Sequence, residues 1–334
     1  MKIGISVVIA YFNGSPFIER AIESTRSSEF DIDLIVVDDG SSKRDADYLL
    51  KLQGEYDFRI VAQENKGQGA ARNAGIMASL HDLICFLDQD DYFLGNHYSV
   101  LSKALLENPQ LDFAYGDLWR VDTEGFRYKA TCIFDSTNHD YHSLARLLSQ
   151  DLHVLPSAAI FKKACLVAVN GFDETLRGYE DDDLMVRLFL NGHDGKVVDE
   201  AVSAWTLDVQ STSFQSVFRT SRAKFFAKHY GAYPLRLNGT TIDDLLFSRF
   251  ALQTLLDSLV LRLSSAARSP EIEASLEIIR DYALNRLRHA RIERMKYLSA
   301  TYAVVKLPRA VLEIIISAGA LLSPRFRQLR SNLN

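Results

Sequence analysis

Three carboxylates fall within four positions in the run Phe86-Leu87-Asp88-Gln89-Asp90-Asp91. Such a cluster is costly to hold together unless a cation, or donors from a ligand, neutralise it. Hard divalent metals favour oxygen ligands, and Mg²⁺ is typically held by one or two carboxylates plus substrate phosphates. The run therefore points to a metal–diphosphate site; the plain alternative is an acidic turn after a strand. A second cluster, Glu180-Asp181-Asp182-Asp183, offers bases. Adjacent carboxylates repel, which raises some of their pKa values, and a helix opening at this point would offset part of the cost. The plain alternative here is a helix N-terminus dressed with favourable negative charge. Asp38-Asp39, followed by Gly40-Ser41-Ser42, is a third acidic pair.

The elements that must position these groups are legible as apolar runs. Ile5–Ala10, Leu34–Val37 and Leu83–Leu87 read as buried strands, each ending in a polar loop. A helical pattern around Phe17 to Ile22 follows the first, after the turn signal Tyr11-Phe12-Asn13-Gly14. Strands alternating with helices predict a parallel sheet in an α/β domain, with the carboxylates of Asp38, Asp39, Asp88, Asp90 and Asp91 along one rim. Open α/β sheets place their ligands at such a rim. Between the second and third strands, Asn65-Lys66-Gly67-Gln68-Gly69-Ala70-Ala71-Arg72-Asn73-Ala74-Gly75 reads as a glycine loop entering a helix. A helix N-terminus favours anions, and Arg72 supplies a planar fork for a phosphate or a base carbonyl. The glycine spacing is neither a Walker loop nor the dinucleotide fingerprint.

In this order the motifs resemble those of family 2 glycosyltransferases. The residues that carry the resemblance are Val36-Val37-Asp38-Asp39-Gly40-Ser41, Asn65-Lys66-Gly67 with Ala71-Arg72-Asn73-Ala74-Gly75, Leu87-Asp88-Gln89-Asp90-Asp91, and Gly171-Phe172-Asp173-Glu174 followed by Gly178-Tyr179-Glu180-Asp181-Asp182-Asp183-Leu184. Each is weak singly; four in order form a joint signal over roughly residues 5–213. The resemblance implies a GT-A-type nucleotide-binding domain with a mostly parallel central sheet. It implies an inverting, nucleotide-sugar-dependent hexosyltransferase, a UDP-sugar donor, and Mn²⁺ or Mg²⁺ as cofactor. A bacterial surface glycan or a lipid-linked oligosaccharide is the implied acceptor.

Roles follow from the resemblance residue by residue. Asp39 reads the nucleotide base, supported by Asp38. Asp88 contacts the ribose or a metal-bound water, and Asp90 binds the metal. Asp91 either supports the metal ligands or starts the next turn. Ala10, Asn13, Lys66, Gly67, Arg72 and Gln89 complete the nucleotide-sugar site. Asp181 matches the base, with Glu180 the second choice. One departure stands out: the family often carries a His three positions after an aromatic residue. Here Trp205 is followed by Asp208, so Asp208 is the candidate further metal ligand, with His193 an alternative. His153-Val154-Leu155-Pro156-Ser157 is placed on the acceptor side by its position in the family order.

The formal charge of −5 argues against a nucleic-acid binder. Cys85, Cys132 and Cys165 have no metal or disulfide spacing and suit a reducing compartment. The first apolar run is too short for a signal peptide, so a cytoplasmic location is expected, on the inner face of the membrane if the C-terminus binds there. Residues 1–215 are expected to form the catalytic domain and 216–334 a C-terminal helical region. One helix is predicted from Ile242 to Leu263 and a second from Pro270 to about Tyr302, its basic run Arg286 to Lys296 a solvated face. The stretch 310–322, flanked by Arg309, Arg325, Arg327 and Arg330, is too short to span a bilayer and contains Glu313. It is read either as a membrane-surface helix or as one packed on the protein or on a second copy. Two other functions stay open: a sugar nucleotidyltransferase, which would want basic residues after the first strand where Tyr11 to Pro16 stand, and an inactive nucleotide-sugar-binding module.

Overall fold

The computed structural model describes residues 2–129, 144–149, 154–206, 216–237, 239–263, 270–287 and 291–306. They fall into two compact units, Met1–Leu147 with Asp151–Ser211, and Leu148–Gln150 with Thr212–Asn334.

The first unit begins β1 (Gly4–Tyr11), α1 (Ile18–Ser24), β2 (Asp31–Asp38), α2 (Lys43–Gln53), β3 (Arg59–Ala62), α3 (Gln68–Ala78), β4 (Leu83–Asp88). It continues β5 (Tyr92–Phe93), α4 (His97–Glu107), β6 (Phe113–Val121), β7 (Arg127–Lys129), α5 (Leu144–Ser149), a 3₁₀ turn (Pro156–Ala158), β8 (Ala159–Lys162), α6 (Lys163–Ala168), α7 (Glu180–Leu190) and β9 (Gly195–Thr206). The sheet order is β3-β2-β1-β4-β8-β6-β9-β5, with β7 on β6. β3, β2, β1 and β4 are parallel, as the strand–helix alternation predicts. β8 then runs antiparallel to both β4 and β6, and β9 returns parallel to β6. The sheet is thus mostly parallel, with β8 inserted antiparallel between β4 and β6.

β1 is buried without a break from Ile5 to Tyr11 because both faces are covered. On one face Ile5, Val7 and Ile9 share a buried cluster with Ile18 and Ile22 of α1, Leu49 and Leu52 of α2, and Leu101 and Leu105 of α4. On the other face α3 lies so close that a side chain at Gly75 would collide with Val8. This contact fixes the depth of α3, and α3 carries the glycine loop and Arg72 to the sheet rim.

The second unit holds α8 (Ser216–His229), a two-stranded hairpin (Arg236–Leu237 with Thr240–Thr241), α9 (Ile242–Leu263), α10 (Pro270–Asn285) and α11 (Arg291–Lys306). Phe247 stacks on Tyr282 at 3.7 Å, and Ser275 Oγ donates to the carbonyl of Ala223, tying α10 to α9 and α8. The single helix expected from Pro270 to Tyr302 is two. The carbonyl of Tyr282 accepts from both Arg286 N and Leu287 N, so the ladder slips by one residue and α10 ends. Among the described residues no helix is long and apolar enough to cross a membrane. The stretch 310–322 with its arginines, and also Cys132, His153 and Asp208, lie outside the described residues.

Candidate active site

The carboxyl ends of β2, β1 and β4 are level. Tyr11 pairs with Asp38 and Ala10 with Asp88, so Asp38 and Asp88 flank the end of β1. At one strand spacing each way they stand roughly 10 Å apart. Ala10 sits between them, buried and small.

Asp38 Oδ1 accepts from Ser41 N, closing the turn after β2. Asp39 is 3% exposed. Its Oδ1 accepts from Lys66 N and Gln63 Nε2, and its Oδ2 from Gly67 N. A carboxylate offers about four acceptor positions, so room is left for one more donor. Gly40, at φ +76°, is the residue that lets the two loops meet: a side chain there would strike the backbone N of Asn65. Lys66 presents its side chain to solvent. Asn13, in the left-handed region at φ 50°, donates its N–H to Ser41 Oγ and accepts from Ser42 N through Oδ1. Gln89 pairs its amide with the backbone of Phe12, accepting from the N–H and donating to the carbonyl. Asn13 and Gln89 thus fix the β1 loop against β2 and β4.

Arg72 is the surprise of the site. Its guanidinium is 3% exposed and does not face solvent as an open phosphate hook. Nη2 donates to Asp88 Oδ1 at 2.6 Å and Nη1 to Glu180 Oε1 at 3.0 Å. Burial works against this charge, and the two carboxylates outweigh it. Gln68 Nε2 also donates to Asp88 Oδ1. The ring of Phe172 lies under the guanidinium at 5.2 Å. Asn73, one residue on, accepts from Phe172 N and donates to Phe172 O and Glu174. The first two turns of α3 therefore join the acidic end of β4 to the loop that launches α7.

That loop is strained into place. Gly178 and Tyr179 both have positive φ, 96° and 68°, and Tyr179 is the residue before α7. Glu180 Oε2 accepts from Gly178 N, so both Glu180 oxygens are engaged by the chain. Asp183 is fully buried and paired with Arg187 at 2.7 Å. Asp181 is different. Burial first, then the charges of Glu180 and Asp182, hold its carboxyl well above the usual carboxylate range, against the pull of Arg72. Its Oδ1 accepts from Asp182 N.

Asp91 is 1% exposed. Burial and its neighbours Asp90 and Asp88 push its carboxyl well up, while Thr206 N and Ser157 Oγ donate to it and pull the other way. Ser157 Oγ also accepts from Asp88 N. The backbone carbonyl of Asp90 accepts from Arg20 Nη2. No set of three or more His, Cys, Asp or Glu side chains among the described residues forms a closed metal cage. An all-oxygen donor set at Asp88 and Asp90 nonetheless fits a hard cation that takes one or two carboxylates and completes its shell with phosphates. His193 cannot contribute. It bonds Asp112, whose carbonyl accepts from Lys162 N, and Lys162 pairs with Leu83 at the opposite end of β4.

Arg20, Ser157 and Thr206 support the acidic turn. Of these the sequence reading names only Ser157, and without this role. No local pattern marks them; each acts across 66 or more residues.

Residues 6–165 match the family model described as Glycosyl transferase family 2. Through this segment the chain is similar to glycosyl transferase family 2. An uncharacterized glycosyltransferase of Haemophilus influenzae is 26% identical over 189 residues, 55% of this chain and 61% of that protein. One of Nostoc is 39% identical over 90 residues, 26% of this chain and 28% of the relative. The chain thus spans under two thirds of these two relatives. The uncharacterized glycosyltransferase EpsJ of Bacillus subtilis is 25% identical over 340 residues, 93% of this chain and 94% of that one. Among solved structures, S. aureus TarS 1-349 in complex with UDP-GlcNAc has a TM-score of 0.61 at 17% identity, covering 91% of each chain. The mannosyltransferase PcManGT of Pyrobaculum calidifontis, in complex with GDP-Man and Mn²⁺, has a TM-score of 0.57 at 14% identity, covering 98% of this chain and 84% of that one. At these identities the likeness is one of fold, and that fold is the GT-A type.

Proposed function

We propose that this glycosyltransferase moves a sugar from a nucleotide diphosphate, of the UDP type, to a hydroxyl of a glycan or lipid-linked acceptor, with inversion at the anomeric carbon. The observation that carries the reading is the Arg72 bridge. It sets a strand-end acidic turn suited to a diphosphate beside a helix start bearing a carboxylate of raised basicity. The UDP-GlcNAc complex of TarS and the GDP-Man, Mn²⁺ complex of the Pyrobaculum enzyme supply the ligand class by likeness of fold.

In this reading the turn after β2 and the loop before α3 bind the nucleoside. Asp39 uses its remaining acceptor position toward the base, and Asp38, Asn13 and Gln89 keep the loops in register. Ala10, Lys66 and Gly67 line the same cleft, and Arg72 acts from behind by orienting Asp88. Mn²⁺ or Mg²⁺, held by Asp90 with Asp88 beside it and Asp208 as the further ligand, would neutralise the leaving diphosphate. Asp181 takes the proton from the acceptor hydroxyl as that oxygen attacks the anomeric carbon. The bond from that carbon to the phosphate oxygen breaks on the opposite face, and the diphosphate carries away the electron pair. Asp181 is preferred to Glu180 because both Glu180 oxygens are already bonded. Polysaccharide synthesis at the cytoplasmic membrane face is the proposed setting. The C-terminal unit, placed at 216–334, is proposed to meet the acceptor, the membrane surface or a second copy.

Incubation with a panel of UDP- and GDP-sugars and Mn²⁺, followed by detection of released nucleotide and NMR of the product anomer, tests this. Release of UDP with an inverted product is expected. A nucleotidyltransferase would release pyrophosphate from a nucleoside triphosphate instead, and an inactive binding module would bind without any release.

A further inference from the structure

Arg20 lies on α1, remote in sequence from every acidic motif, yet its guanidinium reaches the back of the Asp88–Asp91 turn. One nitrogen, Nη2, donates to the carbonyl of Asp90 at 2.8 Å and to Thr206 Oγ1 at 2.9 Å. The guanidinium lies over the ring of Tyr92 at 4.9 Å, on the residue that leaves the turn. Its Nη1 reaches the carbonyl of Thr123, beyond β6, at 3.5 Å. Thr206 closes the circle, because its N–H donates to Asp91 Oδ1 at 2.9 Å. One residue after Tyr92, Phe93 N donates to Ser24 Oγ, a second tether from α1 to the same turn.

We infer that Arg20 is a positioning residue for the candidate metal ligand Asp90, acting through the backbone. A turn carrying Asp88, Asp90 and Asp91 is pushed apart by like charge. Arg20 supplies a cation at the turn's carbonyl side, where it offsets that repulsion. Nη2 holds the Asp90 carbonyl and the Thr206 hydroxyl while Nη1 reaches the carbonyl of Thr123, a spread over two nitrogens that a lysine ammonium, with one, does not reproduce. The carbonyl of Asp90 is thereby fixed against the end of β9. This inference rests on the proposed diphosphate–metal reading of the turn.

The test uses Arg20→Met, which keeps most of the stem, with Arg20→Lys as the conservative partner and Thr206→Val as the milder probe of the same contact. Mn²⁺ binding in the presence of UDP is read by loss of the free Mn²⁺ EPR signal, alongside donor KM and kcat and the melting curve without metal or nucleotide. Groups that orient metal ligands from behind typically change affinity by about 10- to 100-fold. Arg20→Met is therefore expected to weaken Mn²⁺·UDP binding at least about tenfold. Donor KM should rise more than kcat falls, with Arg20→Lys partly restored and Thr206→Val weakened less. If Arg20→Met does not fold, the Lys and Val variants carry the same comparison. Wild-type protein that binds Mn²⁺·UDP while folded variants bind it equally overturns the inference and leaves the reading of the site standing. Wild-type protein that binds no Mn²⁺·UDP overturns both.

Discussion

Near the start of β2, Asp33 is 9% exposed and accepts from Ser6 Oγ, Leu80 N and Arg59, whose fork grips both oxygens. Past the end of β4, Asp91 is 1% exposed and has one backbone and one hydroxyl donor, with two further carboxylates in the same turn. The two buried acids occupy opposite rims of one sheet. Asp33 has its own arginine, and its rim is closed by the chain alone. At the other rim Arg72 is shared between Asp88 and Glu180, while Asp91 and Asp181 are held at raised pKa. A rim that leaves negative charge crowded at a cost to folding suits completion from outside, in the proposed reading by a cation and a proton-bearing acceptor.

The largest expected effect is on turnover. Asp181→Asn keeps shape and removes the proposed base, so kcat should fall by about 10² to 10⁴ while donor binding stays near normal. Loss of donor affinity with an unchanged saturated rate would place Asp181 in substrate holding instead. The mirror experiment is Asp33→Ala. It strands Arg59, Ser6 and the Leu80 N–H, and urea unfolding should show a loss of about 3 kcal/mol, with kcat/KM unaltered well below the melting temperature. A change in kcat/KM without a change in stability would erase the contrast between the rims. A smaller effect concerns pH. Asp181 works as a base only when ionised, so kcat should rise with pH through its elevated pKa. Glu180→Gln removes a neighbouring negative charge that raises that pKa, and Arg72 then favours the Asp181 anion more strongly. The acid limb should move to lower pH. A limb that stays put would show that Glu180 does not set the basicity of Asp181.

The comparison also marks what a sequence can carry. The strands of the site rim, their acidic ends and the helix opening at Glu180 are local patterns; they made the α/β domain legible, and the family resemblance they carry implied the GT-A type. The arginine partners are not local. Arg72 is visible as a residue type, but Glu180 lies 108 positions away, and nothing near Arg72 says that its fork is already occupied. Arg20 sits in an ordinary amphipathic helix, and Thr206 in an ordinary strand; only the sheet order brings them to the acidic turn. The break between α10 and α11 was likewise hidden, since the apolar spacing continues through it while the hydrogen-bond ladder does not.

The claim that the crowded rim is completed from outside is most directly tested by a thermal melt with Mn²⁺, UDP, both, or neither, on wild type and Asp90→Asn. A ligand that binds only the folded state stabilises it by about 2.7 kcal/mol at a hundred times its Kd. The account predicts that Mn²⁺ and UDP together raise the wild-type melting temperature by more than the sum of their separate effects, and that Asp90→Asn abolishes this synergy. Asp90→Asn responding to Mn²⁺ and UDP as the wild type does would contradict it.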